Sequence, residues 1–276
     1  MARDALTGWD DDSTAAAYAE FTRAFPMYGS SSRDLVARAR LASGRLIVDL
    51  CGGTGTTAEA ILAQAPSDAT VLSLDSAAAM QRIGRRTLSD PRLSWIHAPA
   101  EDLAEHAAAH SVDAIVCNSA IWKTDVPAVF TAVRRVLRPG GRFVFNIGGS
   151  FAGLHPDPQT SRTRPSLTTL IDHIAAHDYG LPPPQHTGSP KLPLQTITSH
   201  LANAGLTLVT ADITAQHTTM AERRAWLTIP AFARPDGFTY EQQMAILKKA
   251  YAQTRPDNVT VTRWLVVVAR LDLSQA

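Results

Sequence analysis

"LIVDLCGGTGTTAEAIL" spans residues 46–62. It runs from a short apolar block, through three glycines, into helix formers. An apolar block of strand length followed by a glycine turn and a helical stretch reads as the strand–loop–helix unit of a parallel sheet. Such a loop presents backbone amides and a helix N-terminus to a ligand. The same rhythm continues outward. Strands are expected over 45–50, 70–75, 93–99, 112–118 and 141–148, with "TTAEAILAQA", "SAAAMQRIGRRTL" and "PAVFTAVRRVL" as helices between them. Near-continuous apolar strands alternating with helices imply a sheet covered on both faces.

Residues 11–42 read as mostly helical, with Ser13 and Ser32 as candidate N-caps. They form an N-terminal helical cover over 1–42 of a single domain, 1–276. After the fifth strand the rhythm breaks. Residues 149–191 are proline-rich with a helix near 166–178, and a stretch this long inside a domain reads as a cap or lid. A helix (194–206) and a sixth strand (207–216) follow, then a second insert, 217–257, and a long β-branched strand over 259–271.

Composition narrows the function. The 276 residues are 45% hydrophobic and 18% charged, and the net charge is +1. A near-neutral chain is a poor electrostatic partner for nucleic acid. There is no apolar run of membrane-spanning length, and the first residues lack the apolar core of a signal peptide, so a cytoplasmic protein is expected. The two cysteines, Cys51 and Cys117, end neighbouring strands and are expected to be free thiols lying close together. No CxxC pair or His/Cys cluster suggests a metal site.

Two cofactors compete for the loop. Gly53 to Ala58 fit the G-x-G-x-x-A dinucleotide pattern, and Asp75 stands 20 residues past Gly55, where an acid meets a ribose. Three features favour S-adenosylmethionine (SAM) over a nicotinamide. Asp49 lies inside the first strand, where an acid can organise the loop or meet a cationic amine. Asp75 ends the second strand, where it can accept both ribose hydroxyls, and Met80 follows to pack on an adenine. The long final strand suits an antiparallel return between strands 5 and 6 rather than further parallel units.

With "VDLCGGTGTTA", "LSLDSAAAM", "APAEDLA", "VDAIVCNSAIW" and "LRPGGRFVFN", the chain resembles the class I SAM-dependent methyltransferases from about residue 13 to 271. The first motif is similar to the loop of the quinone-pathway C-methyltransferases, although Cys51 stands where the family usually has Gly or Ala. The resemblance implies an α/β, Rossmann-like class I methyltransferase fold. Its sheet would be seven-stranded and mostly parallel with an antiparallel last strand, with helices on both faces and cap inserts after strand 5 and between strands 6 and 7. It implies Asp49, Gly53, Thr54 and Gly55 at the methionine end of SAM, Asp75 on the ribose and Met80 on the adenine. Ala100 and Glu101 would meet the adenine edge, Asn118 would lie under the cofactor, and Tyr18 and Tyr28 would cover the methionine carboxylate.

Few residues are marked for chemistry, because methyl transfer needs alignment more than acid or base. Asn146 ends strand 5, either near the sulfonium or stabilising the turn. Trp122 either walls the pocket or packs, and Tyr179 either reaches down as a lid residue or does not. His155 and His217 are candidate bases. The loop "NSAIW" lacks the Asn/Asp-Pro-Pro-aromatic signature of methylation on nucleic-acid bases. The leading expectation is methyl transfer to the oxygen, nitrogen or carbon of a small molecule. The second is a SAM-consuming cyclase resembling the azetidine-2-carboxylate synthases, with Asn146, Tyr179 and Tyr18 around the reacting amine. A non-catalytic binder and a nicotinamide oxidoreductase follow.

Overall fold

Alternate residues of the strands are buried on opposite faces of one sheet. Val48, Ile115, Cys117, Phe143 and Phe145 join one apolar core, while Ile47, Ala114, Val116 and Val144 join another. The computed structural model describes residues 8–154, 165–180 and 191–273. In chain order the elements are α1 (Asp12–Ala24), α2 (Met27–Ala39), β1 (Leu46–Leu50), α3 (Thr56–Gln64), β2 (Thr70–Asp75), α4 (Ala78–Thr87), β3 (Leu93–His97), α5 (Leu103–His106) and β4 (Val112–Asn118). Then come α6 (Val126–Val136), β5 (Leu137–Gly148), α7 (Leu167–Tyr179), α8 (Leu194–Asn203), β6 (Thr207–Thr219), α9 (Met220–Leu227), α10 (Tyr240–Ala252) and β7 (Val259–Arg270).

The seven strands lie in the order β3-β2-β1-β4-β5-β7-β6. β1 to β5 pair parallel, and β7 runs antiparallel to both β5 and β6. This is the expected class I methyltransferase architecture. Leu103 of α5, Val133 of α6 and Leu201 of α8 cover one face; Leu35 of α2 and Ile61 of α3 cover the other. The cap helices α7, α9 and α10 share a small core of their own around Ile171, Leu227 and Ile246. No described helix is long and apolar enough to cross a membrane.

Three local expectations need correction. Ser13 does not cap α1: Asp11 does, accepting from Thr14 N–H at 2.9 Å. Ser32 lies inside α2, which starts after Pro26 instead. A carboxylate one turn upstream and a proline both outrank a serine as start signals here. The strands also run past their expected bounds. β5 begins at Leu137, with "RPGG" as an irregularity inside it, because Gly140 N–H donates to Leu271 C=O at 2.7 Å and Leu271 N–H donates back to Gly141. β6 continues to Thr219, held by pairing down to Thr219↔Val259.

Phe145 is fully buried, with ring centres of Phe143 and Phe130 at 4.8 and 5.7 Å. Phe145→Ala is expected to lower the unfolding free energy by about 3–5 kcal/mol. Urea titration checks this as a lower midpoint at unchanged slope.

Candidate active site

The glycine loop is folded down onto the end of β2. A Cβ on Gly52 would collide with the Asp49 carboxylate and the Ser73 hydroxyl, so only glycine lets the backbone lie there. Gly52 N–H donates to Leu74 C=O at 3.1 Å. Gly53 N–H donates to Asp75 Oδ2 at 2.8 Å, and Asp75 Oδ1 accepts from Ala77 N–H at 2.7 Å. Gly55 starts α3 at φ +93°, and a Cβ there would sit 2.7 Å from the Trp95 ring. A Cβ on Gly53, by contrast, would meet nothing within 4 Å, because that position opens onto a cavity. Cys51 and Ser119 hold φ of +58° and +63° at the exits of β1 and β4. Non-glycine residues in this region carry strain, and strain of this kind collects at functional edges.

The cavity is about 1990 Å³ and lies between the carboxyl edge of the sheet and the cap. Of the expected site residues, it brings together Gly53, Asp75, Met80, Ala100, Glu101 and Asn118. Tyr18, Tyr28 and Trp122 also line it. Trp122 stacks on Phe151 with centroids 3.9 Å apart. Asp49, Thr54 and Gly55 are buried behind the lining. Asn146 does not line the cavity: it is 1% exposed, and its Oδ1 accepts from Ser119 N–H at 2.6 Å. It holds the strained turn above it. Tyr179 is 40% exposed at the end of α7, edge-on to Phe238, and does not line the cavity either. His217 lines it from β6, and His155 lies outside the described residues.

Charge at the sheet edge is shaped by burial. Burial pushes the Asp49 carboxyl up to about 7; the Ser73 hydroxyl, donating to Oδ2 at 3.1 Å, opposes this, and Asp75 adds to it. Its Oδ1 is buried with no hydrogen-bond partner among the described residues. Asp75 is raised by burial, against the two backbone amides it accepts from. Burial also lowers Lys123 to about 8, while Cys51, Asp75 and Cys117 pull it back up. Cys51 and Cys117 are free thiols, and the nearness of Cys117 raises Cys51 most, ahead of burial.

The N-terminal helices are tied to this edge by hydroxyls and an amide. Asn118 Nδ2 lies 2.9 Å from Ser32 Oγ and 3.0 Å from Ser31 Oγ, and Ser32 Oγ lies 2.9 Å from Thr57 Oγ1. Asp10 accepts from Ala79 N–H at 2.7 Å, supplying from afar the cap that α4 lacks.

The apolar stretch "AWLTIPAF" (225–232) of the second insert, expected to line the cap, does so through Trp226 and Phe232, while sequence reasoning missed Trp9 and the cations along the wall. Lys123 Nζ sits 3.8 Å from the Trp9 ring centre. Trp9 is edge-on to Phe232 at 5.2 Å, Phe232 stacks on Trp226 at 3.8 Å, and the Arg223 guanidinium covers Trp226 at 4.5 Å. Arg234 and Arg255 also line the cavity. One signal was present: Arg223 and Trp226 stand three apart in "AERRAWL", on one helical face.

Residues 47–141 match the family model described as a methyltransferase domain. Over those residues the chain is similar to a methyltransferase domain. Trans-aconitate 2-methyltransferase of Azoarcus sp. is 36% identical over 134 residues, 48% of this chain and 48% of that protein. Demethylmenaquinone methyltransferase of Clavibacter sepedonicus is 36% identical over 104 residues, 37% of this chain and 40% of the relative. The matches thus span half or less of these relatives' length. The fold is also that of solved methyltransferases. Phosphoethanolamine N-methyltransferase 2 of Haemonchus contortus superposes with a TM-score of 0.51 at 16% identity, over 88% of this chain and 52% of that one. Geranyl diphosphate methyltransferase in complex with SAM gives 0.52 at 17% identity, over 94% and 90%.

Asn146→Ala leaves the Ser119 N–H unpaired and is expected to cost about 1–3 kcal/mol of stability. Denaturant titration reads the loss. Ligand affinity and turnover should then fall together. Turnover lost at unchanged affinity would instead put Asn146 at the reacting centre.

Proposed function

We propose that the protein is a SAM-dependent methyltransferase acting on a small molecule. The observation that carries this is the single cavity in which Asp75 and the open face of Gly53 meet a second, cap-lined half. Small-ligand sites commonly occupy roughly 300–1,000 Å³; at about 1990 Å³ this cavity has room for a donor and an acceptor together.

The residues present suit SAM. Each Asp75 oxygen accepts one backbone N–H and keeps lone-pair capacity for a ribose hydroxyl. Met80 and Ala77 pack beside Tyr18 and Trp9, an apolar slot for adenine. The orphaned Oδ1 of Asp49 suits an ammonium, and the Tyr18 hydroxyl is close enough to be raised by the charges of Asp49 and Asp75 as well as by burial and Tyr28. When bound, SAM supplies a methyl group on a sulfonium, whose sulfur leaves neutral. The protein's part is to align and to exclude water. Tyr18, Tyr28 and Trp264 meet tilted and edge-on in an aromatic wall, which favours a cation over bulk water. Lys123, on the lining and lowered to about 8, is placed to take a proton from an acceptor that must lose one.

The cyclase reading needs Asn146 and Tyr179 beside the sulfonium, and neither lines the cavity. Methyl transfer is therefore preferred. The relatives' names give acceptors as unlike as trans-aconitate and demethylmenaquinone, so they do not fix the acceptor here.

Asp75→Ala is expected to weaken SAM roughly tenfold or more by calorimetry, with folding intact by circular dichroism. Unchanged affinity would remove the ribose assignment. With Asp49 near 7, SAM affinity should fall from pH 8 to pH 6, by at most about tenfold, as the carboxylate buried behind the loop is protonated and its field at the ammonium is lost. Asp49→Asn should flatten that dependence. Incubation with SAM alone, followed by mass spectrometry, should yield no enzyme-dependent methylthioadenosine with a cyclic amino acid; their appearance would make the protein a cyclase.

A further inference from the structure

The carboxylates lining the cavity are confined to one end, where Lys123 stands among them. These carboxylates, Asp10, Asp75 and Glu101, come from the segment before α1 and from the loops after β2 and β3, at the nucleotide end. The cap half contributes Arg223, Arg234 and Arg255 and, among its described lining residues, no Asp or Glu. Arg223 is half-buried on α9, with its guanidinium flat on Trp226 at 4.5 Å. It has no carboxylate partner among the described residues, and Arg234 is close enough to repel it. Holding the half-buried Arg223 beside the exposed Arg234 is unfavourable unless an anion joins them.

The surroundings add donors. Trp226 Nε1–H donates to Tyr28 Oη at 3.0 Å, which leaves the Tyr28 O–H hydrogen available to the cavity. Tyr28 also feels the Arg223 charge, which opposes the rise that burial imposes on it. The 13-residue helix α7 brings its N-terminal turn, Ser166 to Thr169, to the same cavity, and α7 packs on α9. A helix N-terminus favours negative charge. The Trp226–Phe232 stack separates Arg223 from Trp9, which belongs with Met80 and Tyr18 at the nucleotide end. Arg223 thus faces the acceptor half.

We propose that this half is an oxyanion subsite, and that the methyl acceptor is a small acid whose carboxylate or phosphate is anchored by Arg223 and Arg234, with Tyr28 as a further donor. The inference rests on the methyltransferase reading. It concerns the anchoring group and leaves the methylated atom open. In the transfer, an electron pair of the acceptor atom forms the new bond to the methyl carbon, the pair of the breaking S–C bond stays on sulfur, and a proton displaced from the acceptor atom passes to solvent.

The test is calorimetry of the full chain with citrate and with inorganic phosphate, each with and without saturating S-adenosylhomocysteine, against chloride at equal ionic strength. One or both oxyanions should bind with S-adenosylhomocysteine in place. Citrate alone would point to a carboxylic acid and phosphate alone to a phosphate ester. Arg223→Gln and Arg234→Gln should each weaken that binding at least tenfold and change S-adenosylhomocysteine affinity less than twofold. Circular dichroism and Arg223→Lys, with partial retention expected, control for folding. Oxyanion binding no stronger than chloride would overturn the proposal. So would an Arg223→Gln loss that falls equally on S-adenosylhomocysteine, since the arginine would then hold the donor's own carboxylate. Failure of S-adenosylhomocysteine to bind the native protein sinks the methyltransferase reading instead, and the oxyanion titrations without it still decide the subsite.

Discussion

The backbone at Gly52 rests directly on the side chains of Asp49 and Ser73, and the amides of Gly52 and Gly53 are fixed to Leu74 and Asp75. This contact sets the rest of the site. It welds the exit of β1 to the end of β2, so the loop and the Asp75 carboxylate are held together. It buries Asp49 and so raises it, leaving one oxygen without a partner. It also aims α3, whose Thr57 then meets Ser32 and, through it, Asn118. A close approach of a few ångströms thus organises the loop, two helices and the neighbouring strand.

Much of this was legible in the chain because it depends on local chemistry. Apolar blocks and glycine turns specify parallel strands, and the β-branched run at 259–271 specified an antiparallel return. Gly53, Asp75 and Met80 were found because a loop after a strand has few places to put a ligand. For Asn146 the sequence left two places open, and the structure takes the turn-stabilising one. Position at a strand end shows that a side chain is near the edge, but not whether it points into the opening or beneath it. Its register partner Asn118 reaches the lining, while Asn146 bonds Ser119 below. Tyr179 was misjudged because a helix of the cap can turn its last residue toward another cap segment, here Phe238.

The missed residues share a different cause. Lys123, Arg223 and Arg234 acquire their role only where segments far apart in sequence converge. Arg223 matters because Trp226, Phe232 and Trp9 form a continuous face, and no period or spacing records that. Asp10 likewise caps a helix almost seventy residues away.

The β6–β7 pairing runs on after β5 has ended. β5 stops at Gly148↔Trp264, yet β6 and β7 continue to Thr219↔Val259 before α9 begins. The second cap segment therefore leaves and re-enters the sheet at one rung of a two-stranded ribbon. Its length and sequence impose no condition on the register of any other strand. What lies over the acceptor half is in this sense a replaceable module on a stalk. A longer or differently charged cap fits on the same stalk wherever it keeps the Trp226 and Phe232 contacts to Tyr28 and Trp9.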